Sequence, residues 1–347
     1  MKKKCMMLLT SAAVLSVLAG CSNKNAAETA AVPAKTQGED SENASREAEE
    51  TGEAGTETKA EEKPGAAKTE LVIAGGDGAG LAAAIAAVSE GMDPSAILIV
   101  ESGRELAKDV AGQDGLFNAA ETDEQFEAEI DDSYEKFLAD TLKAGENANI
   151  TEMAEYMTES ALEAKEWLEA LGVEFGELEQ AEGSSVARSY AGAGKDLSTQ
   201  VAEKLTKKVE ELKIPVRFGT SVTKINYSEA NTVSGLELEE DGQKETIECL
   251  AVIVTDPELL PLLEETQLIG DSEGNATGLL VNSCAEALIS GGKDGESESV
   301  PGLYAAGRMV EAGVHGKGAL QGNGLVSMIV YGTTAGTEAA IYVGDNR

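Results

Sequence analysis

The stretch Leu71-Val72-Ile73-Ala74-Gly75-Gly76-Asp77-Gly78-Ala79-Gly80 constrains the fold more than any other part of the chain. An apolar run stops on glycines, and an alanine-rich helical pattern over 81–88 follows at once. This is the strand–turn–helix opening of a dinucleotide-binding βαβ unit, whose glycines turn tightly and admit a pyrophosphate to the backbone. The spacing predicts a second strand over 96–100, ending on Glu101. An acid about twenty residues past the loop commonly accepts from a ribose hydroxyl. The glycine pattern is imperfect. Read as G-x-G-x-x-G, its outer positions are Gly75 and Gly80, but Asp77 stands in the middle; starting at Gly76 puts Leu81 in the last place.

Upstream, Lys2-Lys3-Lys4 precede an apolar run over 5–18 and then Leu18-Ala19-Gly20-Cys21. The run is too short to span a membrane and fits a secretory signal over 1–20. Leu-Ala-Gly-Cys resembles a bacterial lipobox, which implies cleavage before Cys21 and a lipid on its sulfur. An ordinary signal peptide with a chance cysteine is the alternative. Residues 21–67 are an acidic linker of Ala, Glu, Thr, Lys, Gly and Ser, with no aromatic residue. Such a segment buries too little to offset its ordering entropy and is expected to be disordered. As a coil it would hold residues 68–347 roughly 35–40 Å from the surface. The expected address is extracytoplasmic, with contact to a bacterial membrane through the lipid alone.

The chain carries 63 acidic and 27 basic residues, a net charge of −36. That argues against nucleic acid as a partner, since phosphates would be repelled. With one histidine and no CxxC, a zinc or haem site is not expected. Cys249 lies in an apolar run and reads as a small buried hydrophobe. A Cys249–Cys284 disulfide is possible in an oxidising compartment, but nothing requires it.

From residue 68 the chain is long enough for one α/β domain. Helical patterns are expected over 123–143, from an N-cap at Asn149, and over 196–212 with Val201, Leu205, Val209 and Leu212 on one face. Trp167 beside the second pattern reads as core. Strands are expected over 215–218, 222–227, 233–239 and 245–254, with Asp241-Gly242 as a hairpin turn. A short strand over 302–306, a glycine-rich loop over 313–324 and a helix over 325–342 close the chain.

In this order the pieces resemble the flavoproteins of the soluble fumarate reductase and succinate dehydrogenase family. The likeness is carried by the opening βαβ unit, Phe117-Asn118-Ala119-Ala120, Trp167-Leu168-Glu169-Ala170-Leu171-Gly172-Val173 and Ser184-Ser185-Val186-Ala187-Arg188-Ser189. It continues through Val252-Ile253-Val254-Thr255, Pro301-Gly302-Leu303-Tyr304-Ala305-Ala306-Gly307, Gly313-Val314-His315-Gly316 and Gly322-Asn323-Gly324. The resemblance implies an α/β, Rossmann-like domain with a mostly parallel sheet, helices on its faces and a small β-meander. It implies FAD as cofactor, held by Gly75, Gly76, Gly78, Ala79, Gly80, Glu101, Ser102, Gly115, Asn118, Ala119, Val222, Thr255, Gly307, Arg308, His315, Gly322, Asn323 and Leu325. A helix N-terminus would face the pyrophosphate, and a second would face the flavin ring.

Several positions depart from the family. Asp77 replaces the middle glycine, Leu116 a glycine against the flavin, Asp256-Pro257 a pair of glycines, and Arg308 an acid. Only twenty residues, 256–275, stand where the family inserts its capping domain. Ala319 aligns with the arginine that binds the substrate carboxylate, and nearby Lys317 lacks its bidentate fork. No catalytic residue is therefore assigned, and fumarate reduction is not expected. His315 is either a proton donor or flavin contact, or a packed loop histidine. Three readings follow: an FAD protein serving a redox carrier or small-molecule ligand, a cofactor-free pseudo-enzyme acting as a binding protein, and a binder of a smaller adenine nucleotide.

Overall fold

The computed structural model describes residues 69–263, 266–270, 276–289 and 297–347. The expected signal peptide, lipidated Cys21 and linker lie outside these residues. Among the described residues, no helix is long and apolar enough to cross a membrane.

Strand β1 (Leu71–Ala74) is wholly buried and runs into helix α1 (Gly78–Ser89), which starts three residues earlier than the apolar pattern suggests. The extension follows from Asp77, whose extended backbone and side chain cap the helix through the Gly80 amide. Strand β2 (Ile97–Glu101) completes the unit, parallel to β1 with Leu71 opposite Ile97.

The next segment is more broken than its periodicity predicts. After β3 (Phe117–Asn118), the expected helix over 123–143 is two, α2 (Asp123–Glu127) and α3 (Tyr134–Ala144). Glu129 adopts a left-handed conformation between them, and Ser133 caps the second helix afresh. The interruption turns Asp132 inward to meet Arg188. The following helix also divides, into α4 (Thr151–Glu159) and α5 (Ala161–Ala170). Asn149 is not its N-cap. Its amide donates to the Val314 carbonyl at 2.7 Å, and Ile150 precedes the first turn. Trp167 on α5 is buried, as expected of core.

Strands β4 (Phe175–Glu179) and β5 (Ser189–Gly192) join β3 in a three-stranded antiparallel sheet absent from the sequence reading. Helix α6 (Leu197–Leu212) is capped by Asp196 and buries Val201, Leu205 and Val209. Strand β6 (Val216–Phe218) returns to the edge of the main sheet beside β2. Strands β7 (Thr220–Tyr227), β8 (Val233–Glu240) and β9 (Gln243–Glu248) form the expected antiparallel meander, turning at Asp241-Gly242.

The run over 245–254 is two strands rather than one. At Leu250 and Ala251 both amides donate to the Glu70 carbonyl, and the chain passes from the meander into β10 (Ala251–Val254) beside β1. Strands β11 (Leu268–Gly270) and β12 (Ala276–Leu279) pair as a hairpin. Strand β13 (Glu286–Ile289) lies antiparallel to β14 (Glu298–Ala305). The glycine-rich loop contains a short helix, α7 (Glu311–His315), before α8 (Asn323–Asp345) closes the chain.

The main sheet has the order β13-β14-β10-β1-β2-β6 and is parallel except at β13. Its middle strands are continuous apolar runs, as a sheet covered on both faces requires. Helices α1 and α8 pack closely because small residues meet. A Cβ on Gly332 would lie 2.7 Å from the Ala79 carbonyl oxygen. Cys249 is a free, buried thiol pushed up to about 12 by desolvation, so it does not pair with Cys284.

Candidate dinucleotide site

In open parallel sheets, ligands bind beyond the carboxyl ends of the strands, where the connections diverge. At that edge a small open cleft of about 110 Å³ lies between the ends of β1 and β2, the start of β7 and the turn after β10. Gly75, Glu101, Ser102 and Val222 line it, and Asp256 and Leu259 close the opposite side. Thr255, next to Asp256, is buried and donates to the Ala74 carbonyl. The predicted residues of the adenosine end therefore converge on one cleft.

Glu101 is positioned by the loop it faces. Its Oε2 accepts from the Gly76 amide at 2.8 Å, and its Oε1 from the Gly103 amide at 2.6 Å. Each oxygen keeps a further lone-pair direction, so the carboxylate can accept from ribose hydroxyls while remaining anchored.

Gly78, Ala79 and Gly80, the residues expected at the phosphates, form the first turn of α1. Gly80 carries no side chain because a Cβ there would overlap the Gly75 carbonyl. Two amides of this turn are engaged by the chain itself. The Gly80 amide donates to Asp77 Oδ1 at 2.8 Å, and the Gly78 amide to Asp109 Oδ1 at 2.9 Å. Asp77 Oδ2 is buried and has no hydrogen-bond partner among the described residues. Burial first, then the charge of Asp109, pushes the Asp77 carboxyl up to about 7; the Gly80 amide, Thr255 and Arg308 act against that rise. Burial also raises Asp109.

Gly307 packs on Ala79, and Arg308 beside it reaches Asp256 Oδ1 at 3.1 Å. Two departures from the family pattern thus answer each other across the ends of β10 and β14. Arg308 is also the cation that faces Asp77, Asp109 and Glu311.

The remaining predicted residues gather at the start of α8, whose Met328 touches Gly78. Gly322 is its N-cap, and Asn323 and Leu325 are buried in the first turn. Asn118 donates to the Gln321 carbonyl at 2.7 Å and to Asn323 Oδ1 at 2.8 Å, while Ser189 donates to its Oδ1. Ala119 donates to the Arg188 carbonyl. Gly115 lies against Asp196, the cap of α6. The Gly322 amide donates to Asp114 Oδ2 at 2.7 Å, and Gln113 lies over Gly324. Leu116 is buried in the same loop.

His315 is buried, and its Nε2 lies 3.0 Å from Ser327 Oγ. Ser327 already donates to the Gly324 carbonyl, so its hydroxyl accepts from Nε2–H and the ring is assigned the Nε2–H tautomer. Desolvation lowers its pKa to about 4, which keeps it neutral at pH 7. Lys317 pairs with Glu146 at 2.9 Å on the surface, and Ala319 is exposed.

Sequence reasoning missed Asp109, Gln113 and Asp114. They lie in a loop whose spacing matches no motif, and their partners are up to 208 residues away. At the expected adenosine end, Glu101 lines the cleft and supplies the acceptor that a ribose hydroxyl would need. The turn of α1 offers the phosphate-binding amides, with two carboxylates now on them. The donor set fits FAD on that condition.

The model of the FAD binding domain family matches residues 70–259. A NADH:fumarate oxidoreductase of Klebsiella pneumoniae (strain 342) is 34% identical over 180 residues, covering 52% of this chain and 19% of that protein. A fumarate reductase (cytochrome) of Shewanella frigidimarina is 27% identical over 170 residues, covering 48% of this chain and 29% of that protein. The matched part thus spans less than a third of either relative. Among solved structures, the open conformation of a flavocytochrome c3 fumarate reductase superposes with a TM-score of 0.69 at 15% identity, over 81% of this chain and 79% of the other. FAD is therefore the cofactor of this fold, and the chain belongs to the FAD binding domain family.

Proposed function

We propose that the chain is an FAD-dependent redox protein, tethered outside the cytoplasm by a lipid on Cys21, that serves a redox carrier or an open-site small molecule and does not reduce fumarate. The observation that carries the redox reading is the cleft at the ends of β1 and β2, lined by Glu101, which two backbone amides hold in place. FAD would supply electron-transfer chemistry. The chain's own residues would hold the ribose at Glu101 and the phosphates at the start of α1.

The narrower claim, that fumarate is not the substrate, is supported by the segment after β10. Its described residues make a short 3-10 helix over Pro257–Leu262 and the β11–β12 hairpin, and no cap. His315 is buried and neutral, and Ala319 cannot grip a carboxylate. A second reading, a cofactor-free binding protein, is favoured by the carboxylates on the α1 amides.

An absorption spectrum of the full-length chain, purified without added cofactor and then titrated with FAD, separates the two. A flavin band or saturable binding supports the redox reading. A protein that unfolds cooperatively yet ignores FAD overturns it. Fumarate turnover with a reduced dye donor would overturn the narrower claim, and an unmodified mature N-terminus would remove the anchor.

A further inference from the structure

The start of α1 presents its amides to carboxylates rather than to solvent. Asp77 and Asp109 each place one oxygen on an amide of the same turn, at 2.8 and 2.9 Å. Two anionic groups side by side on such a turn have the charge and acceptor pattern of a pyrophosphate. We propose that Asp77 and Asp109 stand in for the cofactor phosphates, and that FAD enters by replacing them, with these carboxyl groups taking up protons as it binds. The proposal rests on the FAD reading of the site.

An ordinary helix cap does not account for the arrangement. Capping needs one acceptor, and Asp77 Oδ1 supplies it. It explains neither Asp109, which reaches in from another loop, nor Asp77 Oδ2, which is buried without a hydrogen bond while the nearby Thr255 hydroxyl donates to the Ala74 carbonyl instead. A proton on Asp77 would remove the charge and turn that oxygen into a donor toward a phosphate.

The surroundings make proton uptake necessary for a phosphate ligand. Arg308 is the cation facing the pair, and Asp256 shares it. Glu311 from α7 and Glu101 from β2 add further negative charge around the turn. Two phosphate charges placed there would meet four carboxyl groups. Burial has already brought Asp77 into the physiological titration range, so the uptake is accessible near neutral pH.

By linkage, binding that takes up one proton weakens up to tenfold per pH unit above the free group's pKa. The test is FAD binding to the purified full-length chain from pH 6 to 9, followed by flavin fluorescence. Calorimetry in buffers of different ionisation enthalpy reads the protons directly. Adenosine, which lacks phosphates, is the comparison ligand. The expected result is an FAD Kd that climbs as much as tenfold per unit above pH 7, net proton uptake, and a flat adenosine profile. Asp77→Asn keeps a good cap, and Asp109→Asn keeps the side-chain carbonyl. Each should tighten FAD at pH 8 about tenfold or more and flatten the profile. FAD binding that is pH-independent and takes up no proton would overturn the proposal and leave the FAD reading standing. Failure of wild type and both variants to bind FAD at any pH would overturn both.

Discussion

The Asp77 carboxylate accepts the Gly80 amide through one oxygen while its other oxygen is buried without a partner. Burial, with Asp109 close by, holds its pKa at about 7 against an ordinary value of 3.8. Between those values the folded chain keeps a proton that the unfolded chain has lost. Asp77 thus contributes stability that is complete below pH 3.8 and is lost as pH rises through 7. Three units correspond to about 4 kcal/mol at most. Asp77→Asn has no such proton. Urea unfolding should show the variant gaining on wild type by up to that amount between pH 4 and 7.5. Parallel stability curves would rule the buried proton out.

His315 behaves oppositely. Desolvation lowers it from 6.5 to about 4, so its stabilising effect is present above pH 6.5 and fades as pH falls through 4. The full effect is about 3 kcal/mol. The chain has one histidine, so a ¹⁵N-histidine spectrum reports this ring alone. It should show the Nε2–H tautomer and no titration midpoint between pH 8 and 5. A midpoint near 6.5 would place the ring in solvent and restore its candidacy as a proton donor.

The sequence made the dinucleotide unit legible because its signals are local. An apolar run, glycines and an acid at a set distance all act within about thirty residues, and Glu101 stands where that spacing put it. The meander was legible for the same reason, through Asp241-Gly242. What escaped was decided across the chain. The helix over 123–143 breaks because Asp132 is needed by Arg188, 56 residues on. The apolar run before Val254 divides because Leu250 and Ala251 both bond Glu70. Asp77 was legible as a misfit, but Asp109 beside it was not, and the ion pair of Asp256 with Arg308 joins two misfits that sequence treats separately.

Helices α1 and α8 test the packing argument. A methyl at Gly336 would overlap the Ala83 backbone carbonyl, which no rotamer change can relieve. Gly336→Ala should cost about 3 kcal/mol, the upper end of ordinary overpacking, with a lowered Tm. Gly344 lies in the same helix with nothing within 4 Å of its Cβ position. Gly344→Ala should stabilise by about 0.5–1 kcal/mol through helix propensity alone. Equal effects of the two substitutions would mean that the helices are not in this close register.

Arg188 is fully buried, with Nη2 at 2.9 Å from Asp132 and 3.2 Å from Asp140, and its guanidinium carbon 5.0 Å from the centre of the Phe137 ring. The Asp132 side chain is also fully buried and takes a second bond, from Gln125 at 2.8 Å. The Arg188 carbonyl and the neighbouring Ser189 hydroxyl hold Ala119 and Asn118 against the start of α8. The pair therefore secures the start of α8 without touching it. Removing one partner strands the other charge in the interior, at about 3–5 kcal/mol. Arg188→Ala should lose that much stability in denaturant unfolding. The double variant Arg188→Met with Asp132→Leu, which removes the fully buried pair, fills the space and leaves Asp140 held by the Ser185 amide and hydroxyl, should recover part of it. Single and double losses that simply add would show that the two charges are not coupled.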